Sequence, residues 1–289
     1  MKVNREAKIG IVLFLLPAMI LFIAFFLFPI FYVGVMSLFD WNGISEATFI
    51  GLGNYKEIFA DRVFRRSIRN NVIWALAACF LQVPMALIMA MILSKKPRGW
   101  KFFRTVYFFP QVISGIAIAA MWSAVFNSEF GVLNGLLKLI GLEKYTRNWL
   151  GDPKTAFICV LVYGLFYIGY YMVIMMAGIT GIDPEYYEAA EIDGASRIQQ
   201  DLHITIPLIK YSIMTCMTLA AVFGLRTFEQ IFFLTNGGPA NRTSVVVLYL
   251  YNQMNNNDYG GANASSVCLI IVGALVIVSI RKLFTLKKD

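Results

Sequence analysis

The sequence predicts an all-α integral membrane protein with six transmembrane helices. Three observations lead there: a composition too apolar for a soluble domain, long uncharged runs, and basic residues gathered at the ends of those runs. Of 289 residues, 58% are hydrophobic and 15% charged, against roughly 25% charged in soluble domains. Uncharged runs cover 9–39, 71–94, 105–128, 155–182 and 259–280. Each exceeds the roughly 20 residues a helix needs to cross about 30 Å of hydrocarbon. A sixth candidate, 207–234, is interrupted by Arg226 and Glu229. Backbone polar groups in lipid must be satisfied inside their own element, so these runs predict helices, and no β-barrel alternation is present.

The predicted spans are approximately 9–37, 70–94, 105–127, 155–180, 207–234 and 260–281, within one transmembrane domain over 1–289. Lys2, Arg5 and Lys8 precede the first run. That run is longer than the 7–15 apolar residues of a signal sequence, so a retained span is expected. Span one carries Pro17 and Pro29, which membrane helices tolerate when neighbours re-satisfy the freed backbone groups. Next, Gly51-Leu52-Gly53-Asn54-Tyr55 signals a turn, and 59–69 is expected as a short surface helix leading into span two.

Lys95, Lys96, Arg98, Lys101 and Arg104 separate spans two and three, and Arg281, Lys282, Lys287 and Lys288 follow span six. The excess of Lys and Arg places both groups, and both termini, in the cytoplasm. Lys56, Arg62, Arg65, Arg66 and Arg69 dissent, because they fall in the first outer loop. The net charge of +8 thus points to a membrane surface rather than to nucleic acid. Span three carries Pro110 and Trp122, and the segment 127–154, with four of the tryptophan and glycine residues Gly131, Gly135, Gly141 and Trp149, is expected at the interface. After span five, Thr235-Asn236-Gly237-Gly238-Pro239 is a strong break, and 243–254 is expected to be amphipathic. Cys79, Cys159, Cys216 and Cys268 lie in apolar runs without metal-like spacing, and are expected as small buried hydrophobes.

The acidic loop 183–207, between spans four and five, differs from the rest. Asp183 can cap a helix, Pro184 suits its first position, and Glu185 faces its positive end. Gly194 can stop that helix, and Ser196-Arg197-Ile198-Gln199 matches a capping box that opens a second. Glu185, Glu188 and Glu191 repel along one face, while Ala189 and Ala190 leave a small flank. Such a helix suits a groove in a basic partner, although composition alone favours a merely solvated inner loop.

Glu188-Ala189-Ala190, three residues, Gly194, nine residues, then Ile204-Thr205-Ile206-Pro207 resembles the EAA loop of ABC importer permeases. The departure is Ile206, where that motif has Leu. The run 13–41, Gly51 to Tyr55 and Leu234 to Pro239 resemble the carbohydrate branch, which includes maltose and glycerol-3-phosphate permeases, and its first permease more than its second. The resemblance implies a cytoplasmic coupling helix seated in an ATPase cleft, with Glu188, Ala189, Ala190, Gly194, Ile204 and Pro207 in that role. It implies a second related permease forming a heterodimer, two ATP-binding-cassette ATPase subunits and an extracytoplasmic sugar-binding protein. ATP and Mg²⁺ would sit on the ATPases, leaving this chain without cofactor or catalytic residue, in a prokaryotic plasma (inner) membrane.

Substrate candidates come from residue type and spacing. Tyr163, Phe166, Tyr167 and Tyr170 recur at helical spacing and would share one face of span four. Aromatic faces pack on sugar rings, and ordinary helix packing explains them as well. Arg226 and Glu229, three apart on span five, are either a mutually neutralised pair or a site; a charge within a span defaults to function. Thr227, Gln230, Gln111 and Ser114 are weaker polar candidates. His203 has no Ser or Cys partner suggested by spacing. The sequence contains no P-loop pattern. Alternatives remain open: an ABC permease for a non-sugar solute, or an ion-coupled secondary transporter, which would be expected to show inverted repeats and midplane ionisable residues.

Overall fold

The computed structural model describes residues 5–285, with side chains from 10 to 284. Lys2, Lys287 and Lys288 fall outside the described residues, as do the side chains of Arg5 and Lys8. The described chain is nearly all helical, with one antiparallel pairing of Phe39–Asp40 with Thr48–Phe49. Four helices are long and apolar enough to cross a membrane: Gly10–Met36, Arg62–Ser94, Ala156–Thr180 and Tyr259–Phe284. Two bent pairs, Trp100–Gln111 with Gly115–Val125 and Arg197–Leu208 with Lys210–Leu225, bring the number to as many as six when each is counted as one span.

Contacts divide the chain into two compact units. The first comprises 1–61 and 250–268. Its long helix, Gly10–Met36, leaves its apolar side chains exposed, Phe14 at 85%, as expected of a surface solvated by lipid. Past its end the glycine-rich turn does more than reverse the chain. Asn54 is buried and donates to the Ser37 and Phe39 carbonyls, and the Tyr55 and Ser37 hydroxyls lie 2.7 Å apart. The Trp41 carbonyl accepts from the backbone N–H groups of Tyr259 and Gly260.

The second unit comprises 62–249 and 269–289 and holds the main core. Ala86 and Ala90 of span two, Met172 and Met175 of span four, and Cys216, Ala220 and Ala221 of span five are fully buried together. Small side chains let membrane helices approach closely, so dispersion replaces the absent hydrophobic drive. A second cluster joins Trp74, Ile118, Val160, Tyr163, Ile231 and Leu248. All four cysteines are buried and unpaired in disulfides.

The structure corrects several expectations. Residues 59–69 are not one helix: Gly53–Ala60 ends at Asp61, whose extended backbone (φ −69°, ψ 126°) separates it from a helix opening at Arg62. Arg62, Arg65, Arg66 and Arg69 therefore ride on the first turns of span two. Span three bends by 100° between Gln111 and Gly115. Pro110 removes a backbone donor there and Ser114 is extended, so the α ladder cannot continue. Span five is not continuous to 234. It bends by 71° at Ile209, ends at Leu225, and resumes as Glu229–Leu234 after Phe228 leaves helical geometry (φ −138°).

Candidate functional site

The acidic elbow folds as its local chemistry dictates. Asp183 Oδ1 accepts from the Glu185 N–H at 3.1 Å, and the helix runs Glu185–Ile192. At its end the Ala195 N–H donates to the Ala190 carbonyl at 2.9 Å and Gly194 takes φ +76°, a left-handed stop. A Cβ on Gly194 would meet nothing within 4 Å, so the backbone conformation, not lack of room, selects glycine there. The capping box is present: the Gln199 N–H donates to Ser196 Oγ, and the Ser196 N–H donates to Gln199 Oε1. One wider turn, Asp201–Thr205, then leads into Ile206–Leu208.

The helix Glu185–Ile192 buries no residue. Glu188 and Ala189 are exposed and Ala190 half-buried; Ile204 is half-buried and Pro207 exposed. Ile192 is 87% exposed at the bend, an apolar side chain presented outward. Two contacts missed by sequence reasoning hold the elbow in place. Lys95 Nζ, at the end of span two, pairs with Asp201 Oδ2 at 2.6 Å, and the Tyr187 hydroxyl lies 2.9 Å from that of Thr205. The half-exposed ion pair contributes about 0–1 kcal/mol, so its effect is on position more than on stability. His203 is exposed, its Nδ1 3.0 Å from the Gln199 carbonyl.

The second feature is a cleft of about 650 Å³ where spans two to five are broken or widened. Tyr167, Tyr170, Arg226, Thr227 and Glu229 all line it, with Gln111 and Gln230. Tyr163 does not. The predicted aromatic face is split because the helix Ala156–Leu165 stops and resumes at Gly169. Tyr163 turns into the core and is fully buried, its hydroxyl 3.1 Å from that of Tyr167. Phe166 lies against Trp122. Arg226 and Glu229 are likewise not i, i+3 neighbours of one helix. Arg226 caps the end of Lys210–Leu225 and Glu229 opens the next helix. Both are exposed into the cleft, and no ion pair joins them among the described residues. Gly115 makes room for the carboxylate: a Cβ there would lie 2.8 Å from Glu229 Oε2.

The breaks are held open by amides from span two that sequence reasoning passed over. Gln82 Nε2 donates to the Gly164 and Tyr167 carbonyls at the gap in span four, at 2.9 and 3.0 Å, beside the Tyr167 N–H on the first and Gln111 Nε2 on the second. Asn71 Nδ2 donates to the Gly224 and Leu225 carbonyls, while its Oδ1 accepts from the Val246 N–H at 2.8 Å. Irregular backbone at membrane depth is tolerated where protein groups satisfy it or where it lines a cavity. Three buried amides within the uncharged stretch 70–94 of span two, Asn70, Asn71 and Gln82, were the available signal. Among the described residues no cluster of His, Cys, Asp and Glu has the arrangement of a metal site.

Comparison with known proteins identifies the family. Residues 82–287 match the family described as binding-protein-dependent transport system inner membrane component. The probable ABC transporter permease protein YurN of Bacillus subtilis is 40% identical over 291 aligned residues, covering 99% of each chain. The multiple sugar-binding transport system permease protein MsmF of Streptococcus mutans is 33% identical, covering 93% of each. The trehalose/maltose transport system permease protein MalF of Thermococcus litoralis is 31% identical over 93% of this chain and 90% of the relative. A crystal structure of a bacterial ABC transporter involved in import of the acidic polysaccharide alginate contains a chain of the same fold, at 22% identity and TM-score 0.84, covering 98% of both chains. The chain thus belongs to the inner membrane components of binding-protein-dependent transport systems, the multi-pass permeases of ABC transporters.

Proposed function

We propose that this permease carries a sugar, an oligosaccharide or related carbohydrate, into a prokaryotic cell, with both termini in the cytoplasm. It acts beside a second related permease, two ATP-binding-cassette ATPases that bind the ATP and Mg²⁺, and an extracytoplasmic sugar-binding protein. The chain itself performs no catalysis. The observation that carries this reading is the elbow: an acidic helix unburied by its own chain, stopped by a left-handed glycine and tethered to span two. Relatives named for trehalose and maltose or for multiple sugars support the substrate class.

Glu188, Ala189, Ala190 and Gly194 form the surface that an ATPase cleft grips, and Ile204 and Pro207 pass its movement toward span five. The rest of the chain supplies the load. Within the cleft, Tyr167 and Tyr170 offer rings for a sugar face, and Arg226 and Glu229 offer hydrogen bonds to hydroxyls, while Thr227 is buried behind them with its hydroxyl donating to the Phe223 carbonyl. Tyr163 orients the Tyr167 hydroxyl from behind. A cation and an anion, neither in an ion pair among the described residues, suit a neutral polyol because charge is balanced while donors and acceptors are both present. Arg226 open to the cleft also permits an acidic sugar. Uptake of neutral and acidic oligosaccharides by Arg226→Ala separates the two: equal loss for both removes the acidic reading. The class is tested by purification in mild detergent, where an ATPase and a second permease are expected to accompany the chain. Ion-driven uptake by the chain alone would overturn the proposal.

A further inference from the structure

Beside the elbow, between the near ends of spans two, three and four, lies a second cleft of about 260 Å³. Its walls are apolar, formed by Leu93, Val173 and Met176, and its rim carries Lys96 and Arg104. Both cations are placed by backbone geometry. Lys96 follows directly on the end of span two with a left-handed backbone (φ +50°), and its N–H donates to the Leu93 carbonyl. Arg104 lies on the helix Trp100–Phe108 with its guanidinium carbon 5.2 Å from the Trp100 ring centroid.

That helix has distinct faces. Lys101 and Arg104 lie one turn apart, Phe102 (68% exposed) and Val106 (48% exposed) point elsewhere, and Trp100 and Tyr107 pack on the core. Five cations, Lys95, Lys96, Arg98, Lys101 and Arg104, fall within ten residues that contain no Asp or Glu. Lys95 has Asp201; among the described residues no carboxylate lies within ion-pair reach of the other four. An ordinary solvated basic loop needs no apolar cleft beneath it, and a soluble anion gains nothing from Leu93, Val173 and Met176. An amphiphile with an anionic head uses both: phosphate between Lys96 and Arg104, first acyl carbons against the apolar walls, and the tryptophan at headgroup depth.

We propose that this cleft binds an anionic glycerophospholipid. The assignment rests on the elbow's end of the bundle lying at a membrane face, and holds for either leaflet. It is tested on the full transporter by native mass spectrometry after exchange into mixed phosphatidylglycerol and phosphatidylcholine. Wild type is expected to retain phosphatidylglycerol selectively. K96Q and R104Q should each lower that retention about fivefold, and the double variant more. K138Q, an exposed charge on a different helix, should leave it unchanged, and added inorganic phosphate should not displace the lipid. Equal retention of the two lipids by wild type, undiminished retention by the double variant, or displacement by inorganic phosphate would each overturn the proposal. The wild-type comparison stands even if a variant fails to fold. Retention is read without transport, so failure of the sugar reading leaves this result intact.

Discussion

The elbow and the cleft are built by opposite means. The elbow is made of consecutive residues, 183–207, and each of its features follows from a neighbour a few positions away: an aspartate cap, a glycine stop, a capping box. The cleft is made of breaks in spans three, four and five, kept open by Gln82 and Asn71 of span two across more than eighty and a hundred and fifty positions respectively. Damage to the elbow should therefore be local and change coupling. Damage to the supports of the cleft should cost stability, and damage to its lining should change uptake of substrate alone.

The largest effect is expected at Gln82. Gln82→Leu would remove one donor from each of the Gly164 and Tyr167 carbonyls, leaving them the Tyr167 N–H and Gln111 Nε2, at about 1 kcal/mol for each hydrogen bond lost. Thermal unfolding of the purified complex should show a clear drop in Tm, with uptake falling in proportion to folded protein. A Gln82→Leu variant as stable as wild type would break the claim that this amide holds the gap.

Next comes Gly194. A Cβ has room there, but the bend holds the backbone left-handed, which costs roughly 1–2 kcal/mol for a residue other than glycine. Gly194→Ala should raise the ATP consumed per sugar moved, and Gly194→Asn, which tolerates that backbone, should be milder. Equal damage from both would mean that contact with the glycine surface, not the bend, matters.

Arg226→Ala should raise the substrate concentration for half-maximal uptake by about tenfold or more, the value of one hydrogen bond to a charged group. The ratio of ATP to sugar should stay constant, in contrast with Gly194→Ala. The smallest effect belongs to Lys95→Gln. Loss of a half-exposed ion pair with Asp201 should change stability by at most about 1 kcal/mol, and the wild-type advantage should fade as ionic strength rises. A Lys95→Gln coupling ratio equal to wild type at low salt would show that the tether does not position the elbow.

The same contrast explains what could be read before the fold was known. Helix existence was legible because hydrocarbon imposes length and composition on every span. The elbow was legible because its signals are local, down to the Ser196–Gln199 box. The cleft was only half legible. Tyr167, Tyr170, Arg226, Thr227 and Glu229 do meet there, but not through the helical spacing that nominated them. Periodicity assumes an unbroken helix, and both helices stop at those residues. Tyr163, the most regular member of the aromatic series, went into the core instead. Hydropathy could not anticipate the breaks, because a break at membrane depth depends on a distant amide being present to satisfy it.

The central claim is that movement of the elbow by nucleotide-driven partners opens a path through this chain. The most direct measurement is sugar uptake into sealed vesicles holding the full complex, with ATP inside or outside, with a non-hydrolysable analogue, and with ion gradients collapsed. Uptake that needs hydrolysable ATP on the elbow's side and ignores the collapsed gradients is the predicted result. Uptake that persists without nucleotide and stops when the gradients are collapsed would contradict it.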